Sequence, residues 1–130
     1  MWGKRISLSL NLHHVATATT DEVVGDPVRS NHLVCVQRVS YRDVDNGATR
    51  AVYLKRGHGI DFLLSQTLTL TAAYIYDDPY EVYFTEGEQL VIQFIGCSIG
   101  DNLVAFVSGY EQSFIETPPS GVAVAVVEAT

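Results

Sequence analysis

The stretch Arg5-Ile6-Ser7-Leu8-Ser9-Leu10-Asn11-Leu12 alternates polar and apolar side chains without interruption. Successive side chains of a β-strand point to opposite faces, so this period predicts a strand with one buried and one solvated face. The same period returns in residues 66–71, where threonine occupies the polar face. Residues 33–41 form another strand candidate, and their mixed apolar phase predicts burial on both faces or a bulge.

Turn residues separate the apolar runs at intervals of roughly ten residues, which is typical of a sandwich or barrel. Asp45-Asn46-Gly47 is the strongest hairpin signal, because Asn-Gly supplies the positive φ angles of a type I′ turn. It predicts a hairpin between the strand that ends near Tyr41 and a strand at residues 51–54. Gly57-His58-Gly59 interrupts the chain next, and residues 17–27 are expected to form an exposed loop. Further strands are predicted at residues 80–84, 90–95, 103–107 and 122–127.

Helical periodicity is almost absent from the sequence. Residues 61–66 fit one helical turn, and they fit a strand equally well. The pattern therefore predicts an antiparallel β-sandwich of about eight strands, with jelly-roll or Greek-key topology. The 130 residues are expected to form a single domain, residues 1–130, with residues 1–5 as a candidate N-terminal arm.

The composition limits the classes of partner. Hydrophobic residues make up 47% of the chain, which excludes intrinsic disorder, and 15 acidic against 8 basic residues give a net charge of −7. An acidic surface disfavours nucleic acid, and Lys55-Arg56 with His58 is the single short basic candidate. No continuous apolar run suits a signal peptide or a membrane span, so we expect a soluble protein made in a cytoplasm.

Metal and thiol chemistry are not predicted. Cys35 and Cys97 lie in apolar runs and are interpreted as small buried hydrophobes, while a disulfide between them stays an open alternative. His13 and His14 are adjacent on a predicted strand, so their side chains point to opposite faces and cannot easily share one ion. We therefore expect no metal and no cofactor.

The polar segment at residues 96–102 lies between two strand-like runs and could be a site or a turn. Catalysis by Ser98 would need a base and an orienting group, and no histidine is near in sequence. Calcium would need several oxygen ligands, and Asp101 with Asn102 supplies only a beginning. Gly and Asn suit a turn, so we interpret the segment as a hairpin connector, and we expect no catalytic residues.

An aromatic and acidic stretch, residues 74–83, is the most suggestive surface candidate. Tyrosine is a good strand former that suits a sheet face or a protein interface, but rings beside carboxylates also suit carbohydrate contact. Runs that are apolar in both phases, at residues 33–36, 90–95 and 122–127, need cover on both faces and favour oligomerisation. The candidate partner-binding residues, including an N-terminal ring expected to dock on a neighbour, are Trp2, Arg5, Tyr74, Tyr76, Tyr80 and Tyr83.

The segments 86–94, 98–103 and Gly109-Tyr110-Glu111 resemble small β-sandwich virion proteins of tailed bacteriophages, in which a "G(D/E)xLxVxF…GDxLxLxxxGYE" texture closes the sandwich. The resemblance covers about a quarter of the chain. It implies a non-enzymatic capsid decoration (cement) or head and neck accessory protein. Such a protein would be a homo-oligomer, for example a trimer, that binds other virion proteins such as the major capsid protein.

Two hypotheses follow from these patterns. The first is a structural virion protein, made in the host cytoplasm, that contacts neither nucleic acid nor membrane. The alternative is a carbohydrate-binding sandwich, lectin-like or receptor-binding, with residues 74–83 contacting the glycan.

Overall fold

The computed structural model describes residues 2–114, apart from the side chain of Trp2, and its regular elements are nine β-strands. Their bounds are β1 Trp2–Val15, β2 Thr20–Val24, β3 His32–Asp43, β4 Ala48–Gly57, β5 Ile60–Leu70, β6 Tyr76–Asp78, β7 Val82–Phe84, β8 Gln89–Ile95 and β9 Asn102–Phe114. The described part of the chain has no helix of a length and apolarity that could cross a membrane. The strand predicted at residues 122–127 lies outside the described residues.

The strands form two antiparallel sheets packed face to face. One sheet, called the β1 sheet, has the order β1-β9-β3-β6, with β7 also paired to β3; the other, the β5 sheet, has the order β2-β8-β4-β5. With β6 and β7 sharing one position beside β3, the eight positions have jelly-roll order, in which successive strands change sheets except at the β4–β5 hairpin. The prediction of an antiparallel β-sandwich is confirmed.

The core lies between the sheets and follows the period-two pattern. In β8, Leu90, Ile92 and Phe94 point inward into one apolar cluster. In β3, a register irregularity between Val36 and Arg38 adds one residue, so Val36 and Val39 both reach the core. The bulge predicted from the mixed apolar phase of this strand is therefore present.

Two predicted hairpins are wrong. Asn46-Gly47 connects β3 of the β1 sheet to β4 of the β5 sheet, so it is a corner between sheets, although Gly47 has the expected positive φ of 81°. The type I′ hairpin lies instead at His58-Gly59, where φ is 53° and 76° and Gly57 faces Ile60. Residues 96–101 likewise cross from β8 to β9 in the other sheet. Turn chemistry identifies where a chain reverses, but not which sheet it enters.

Three further boundaries differ from the expectation. The expected loop at residues 17–27 contains strand β2, because Val23 pairs with Ile92 and joins the core. The alternative of a helical turn at residues 61–66 is replaced by strand β5. Tyr80 precedes β7 instead of belonging to it, and residues 2–5 belong to β1, opposite the end of β9, instead of forming a separate arm.

Candidate functional site

The outer face of the β1 sheet carries a shallow depression that brings together two of the predicted contact residues, Arg5 and Tyr83. The Arg5 guanidinium lies 3.9 Å from the centre of the Tyr110 ring, and its Nε donates to Gln112 Oε1 at 3.3 Å. Tyr83 and Tyr110 face Cys35 from its two neighbouring strands. This depression, called the Arg5–Tyr110 surface, is lined by Gly3, Arg5, Leu33, Tyr83, Tyr110 and Gln112.

Hydrogen bonding orders the polar atoms of the Arg5–Tyr110 surface. The Tyr83 hydroxyl donates to Glu81 Oε1 at 3.3 Å, and its hydrogen bond with the Tyr110 hydroxyl raises the pKa of Tyr83 to about 12. The Tyr83 hydroxyl is therefore a neutral donor and acceptor beside the Arg5 cation, a combination that suits neutral polar ligands such as sugars.

Three of the other predicted contact residues, Tyr74, Tyr76 and Tyr80, lie outside this surface. Tyr76 stacks on Tyr41 with ring centres 6.3 Å apart, and its hydroxyl accepts from the Thr71 amide at 2.9 Å, so it closes the corner after β5. Tyr74 is exposed and packs against Tyr76 with ring centres 5.0 Å apart. Tyr80 is 75% exposed between β6 and β7. The side chain of Trp2 lies outside the described residues.

The outer face of the β5 sheet carries an apolar row across all four strands. Val24, Val91, Leu54 and Leu63 are cross-strand neighbours in that order. Val91 is nevertheless fully buried. Arg56 donates from Nη1 and Nη2 to the two carboxylate oxygens of Glu22, at 2.9 and 2.8 Å. This ion pair joins β4 to β2 across the intervening β8, beside Val91.

The chain therefore covers its doubly apolar strands with its own side chains. The same holds for Cys35, which is buried under Tyr83 and Tyr110 on the outer face of the other sheet. Residues 33–36 and 90–95 thus find cover for both faces within the chain, and oligomerisation stays a prediction.

Strand β5 is exposed along most of its length and forms an edge of its sheet. Among the described strands it pairs with β4 alone. Asp61 is its only charged residue, and Arg56 Nε donates to the Asp61 carboxylate at 2.7 Å. The exposed apolar side chains of this strand, called the β5 edge, are Ile60 (54%), Phe62 (52%), Leu63 (62%) and Leu68 (64%).

Three aspartates meet where the two sheet-crossing connections approach each other. One carboxylate oxygen from each of Asp43, Asp45 and Asp101 lies within 4.8 Å of the others, and we call these residues the acidic cluster. Asp43 Oδ1 accepts from the amides of Asp45 and Asn46 at 3.0 and 3.2 Å. Burial, together with the adjacent Asp101 carboxylate, raises the pKa of Asp43 to about 6.

The surroundings of the acidic cluster hold its other carboxylates in place. Asp101 accepts from the Ser98 amide at 3.0 Å and from Asn46 Nδ2, and Asp45 Oδ2 accepts from the Asn102 amide at 2.7 Å. Sequence analysis considered Asp101 and Asn102 but interpreted the segment as a turn. The signal it left unused is that two acidic turns, Asp-Val-Asp-Asn-Gly and Gly-Asp-Asn, recur at separate corners.

The histidines and thiols take structural roles. His13 Nε2 lies 2.8 Å from Asn102 Oδ1 and His14 Nε2 lies 2.9 Å from Asp21 Oδ2, so the two imidazoles face different partners as predicted. Cys35 and Cys97 are buried and free, and burial raises the pKa of both thiols. The interpretation of the two cysteines as small buried hydrophobes is confirmed, and neither is an activated nucleophile.

Comparison of the chain with protein-family models, with curated proteins and with solved structures found no match. The strand order defines the protein as a jelly-roll β-sandwich. Its function is argued from its surfaces, because a fold alone does not specify one.

Proposed function

We propose that this chain is a non-enzymatic structural virion protein of the capsid decoration or head and neck accessory type, which self-assembles through the β5 edge. The observation that carries the proposal is an exposed apolar edge strand with no uncompensated charge. Within residues 2–114, one side of its backbone has no strand partner and can bond another strand.

The chemistry of β5 favours strand pairing with a second copy. Soluble proteins usually protect long edge strands with charges, prolines or bulges near the edge, because an open edge promotes association. In β5 the apolar side chains project from both faces and proline is absent from its 11 residues; its pairing with β4 has one register irregularity, at Leu64, and the exposed apolar side chains lie on both sides of it. Two antiparallel copies of one strand are self-complementary, which suits a closed symmetric assembly.

Charge directs two copies toward this edge. The net charge of −7 makes most approaches of two chains repulsive. At β5 the single carboxylate is already paired with Arg56, so the apolar contact meets little opposing charge. A jelly roll is also an architecture used by viral capsid proteins, which supports the virion assignment by analogy of fold.

Light scattering across a dilution series tests the self-assembly. We expect a stable closed dimer for the wild-type protein, because antiparallel pairing of the β5 edge joins two copies. The double substitution Leu63→Asp and Leu68→Asp should give a monomer, because two exposed apolar contacts become mutually repelling carboxylates. Phe106→Asp is the matched control, since Phe106 is 42% exposed on the outer face of the other sheet. A monomeric wild type at all concentrations would contradict the proposal.

Carbohydrate binding is the second candidate function, favoured by the Arg5–Tyr110 surface. A lectin binds glycans as an isolated protein, whereas a decoration protein binds an assembled shell. If the surface holds a sugar, retention on immobilised glycans should fall about tenfold or more in Tyr110→Ala, because stacking of the ring is lost. Tyr80→Ala is the control, since this exposed ring lies outside the depression. Equal retention of the two variants would exclude this surface.

A further inference from the structure

The acidic cluster contains a buried carboxylate oxygen that has no hydrogen-bond partner among residues 2–114. Asp43 is 0% exposed and Asp101 is 1% exposed. Asp43 Oδ1 is occupied by two backbone amides, but Asp43 Oδ2 is buried and accepts no hydrogen bond. Leaving a buried carboxylate oxygen without a donor is costly, so a positively charged or protic group is needed at this point.

No cationic side chain of the described residues forms an ion pair with the acidic cluster. Within residues 2–114, none of the ion pairs involves Asp43, Asp45 or Asp101. Three carboxylates with ligand atoms within 4.8 Å of one another repel each other unless a counter-charge lies between them.

We propose that Asp43, Asp45 and Asp101 bind a Ca²⁺ ion that joins the β3–β4 connection to the β8–β9 connection. Hard carboxylate oxygens suit Ca²⁺ and Mg²⁺ in preference to softer metals. Oxygens bound to one Ca²⁺ ion at 2.3–2.6 Å can be separated by up to about 5 Å, against about 4 Å for Mg²⁺. The ligand atoms of the cluster all lie within 4.8 Å of one another, which is within the reach of the oxygens of one Ca²⁺ ion.

The neighbouring amides act as supports for the ligands. The Ser98 amide and Asn46 Nδ2 fix the Asp101 carboxylate, and the Asn102 amide fixes Asp45. Asn46 belongs to one connection and Asp101 to the other, so the supports already cross between the two. The ion would link the two connections at the end of the sandwich where the chain crosses twice from one sheet to the other.

Titration calorimetry of the full chain, dialysed against EDTA and then into metal-free buffer, tests the proposal with CaCl₂ alone. We expect saturable binding of one Ca²⁺ per chain and a rise of the thermal midpoint on Ca²⁺ addition. Asp43→Asn keeps the acceptor oxygen for the two amides but removes the charge, so Ca²⁺ affinity should fall about tenfold or more. Asp45→Asn changes an exposed ligand and replaces Asp43→Asn if that variant does not fold.

Asp26→Asn is the matched control, because it makes the same charge change at an exposed position outside the cluster, and it should bind Ca²⁺ like the wild type. Absence of wild-type binding heat and of any midpoint shift would overturn the proposal and leave a proton as the group between Asp43 and Asp101. An equal loss of affinity in Asp26→Asn would overturn it too, because binding would then reflect net charge.

Discussion

Substitution of Gly109 by alanine is expected to destabilise the fold by more than about 4 kcal/mol, enough to unfold many single domains at room temperature. A Cβ atom at this position would lie 1.9 Å from the Cys35 carbonyl oxygen and 3.1 Å from the Gln37 amide nitrogen. Both atoms belong to the backbone of the neighbouring β3, so no side-chain rotation relieves the clash. The strands would have to separate where the β3 bulge brings them closest.

Urea denaturation followed by circular dichroism measures this effect. Gly59→Ala is the control, because Gly59 has a φ of 76° but a Cβ there would meet no atom within 4 Å. Its cost is conformational and should be about 1 kcal/mol. Similar midpoints for the two variants would show that β3 and β9 are less closely packed around Gly109 than the structure has them.

The strands of this protein could be predicted from sequence because their signal is local. Alternation at residues 5–12 specifies both the strand and its buried face, and β1 has Leu8 and Leu12 packed against the core. The sequence gives less information about which of the two sheets each strand joins. Asn46-Gly47 and His58-Gly59 are both turn dipeptides, yet the first crosses between sheets and the second closes a hairpin. The difference arises from packing between distant strands, which a turn dipeptide does not encode.

The acidic cluster could not be predicted from the sequence for the same reason. Asp43 is the last residue of β3 and Asp101 lies in the β8–β9 connection, and only the crossing of the chain between sheets at one end of the sandwich brings their carboxylates together. The ion pair between Glu22 and Arg56, which lies beside Val91, also depends on long-range pairing, because the two residues lie on strands on either side of β8. Local composition indicates which residues are polar, whereas their meeting depends on long-range register.

The tyrosine-rich stretch at residues 74–83 was predicted as one contact patch. In the structure, some of its rings are on the outer surface and others pack within the fold. Tyr83 lies on the outer face of the β1 sheet beside Arg5, where contact with a ligand is open to it. Tyr76 instead packs on Tyr41 and bonds the backbone of Thr71. Loss of function in a Tyr76 variant would therefore report destabilisation of the corner and give no information on a binding surface.

Phe94→Ala is expected to lower the free energy of unfolding by about 3–5 kcal/mol. Phe94 is fully buried, and its ring meets Tyr41 edge-on, with centres 6.2 Å apart and planes at 81°. Tyr41 in turn stacks on Tyr76 and bonds the Thr67 hydroxyl of β5. Removing the Phe94 ring leaves a cavity beneath this aromatic series, so the corner after β5 should loosen together with the core.

Thermal and urea unfolding, with hydrogen exchange of the amides from β5 through β6, including Thr71, measure both consequences. Phe106→Ala removes the same ring from the exposed outer face of the β1 sheet and should cost less than about 1 kcal/mol. Because Tyr41 connects Phe94 to Tyr76, we expect faster exchange at the Thr71 amide in Phe94→Ala than the change in global stability alone explains. If exchange at Thr71 changes only as much as global stability does, the rings of Phe94, Tyr41 and Tyr76 contribute packing alone. They would then not couple the core to the turn after β5.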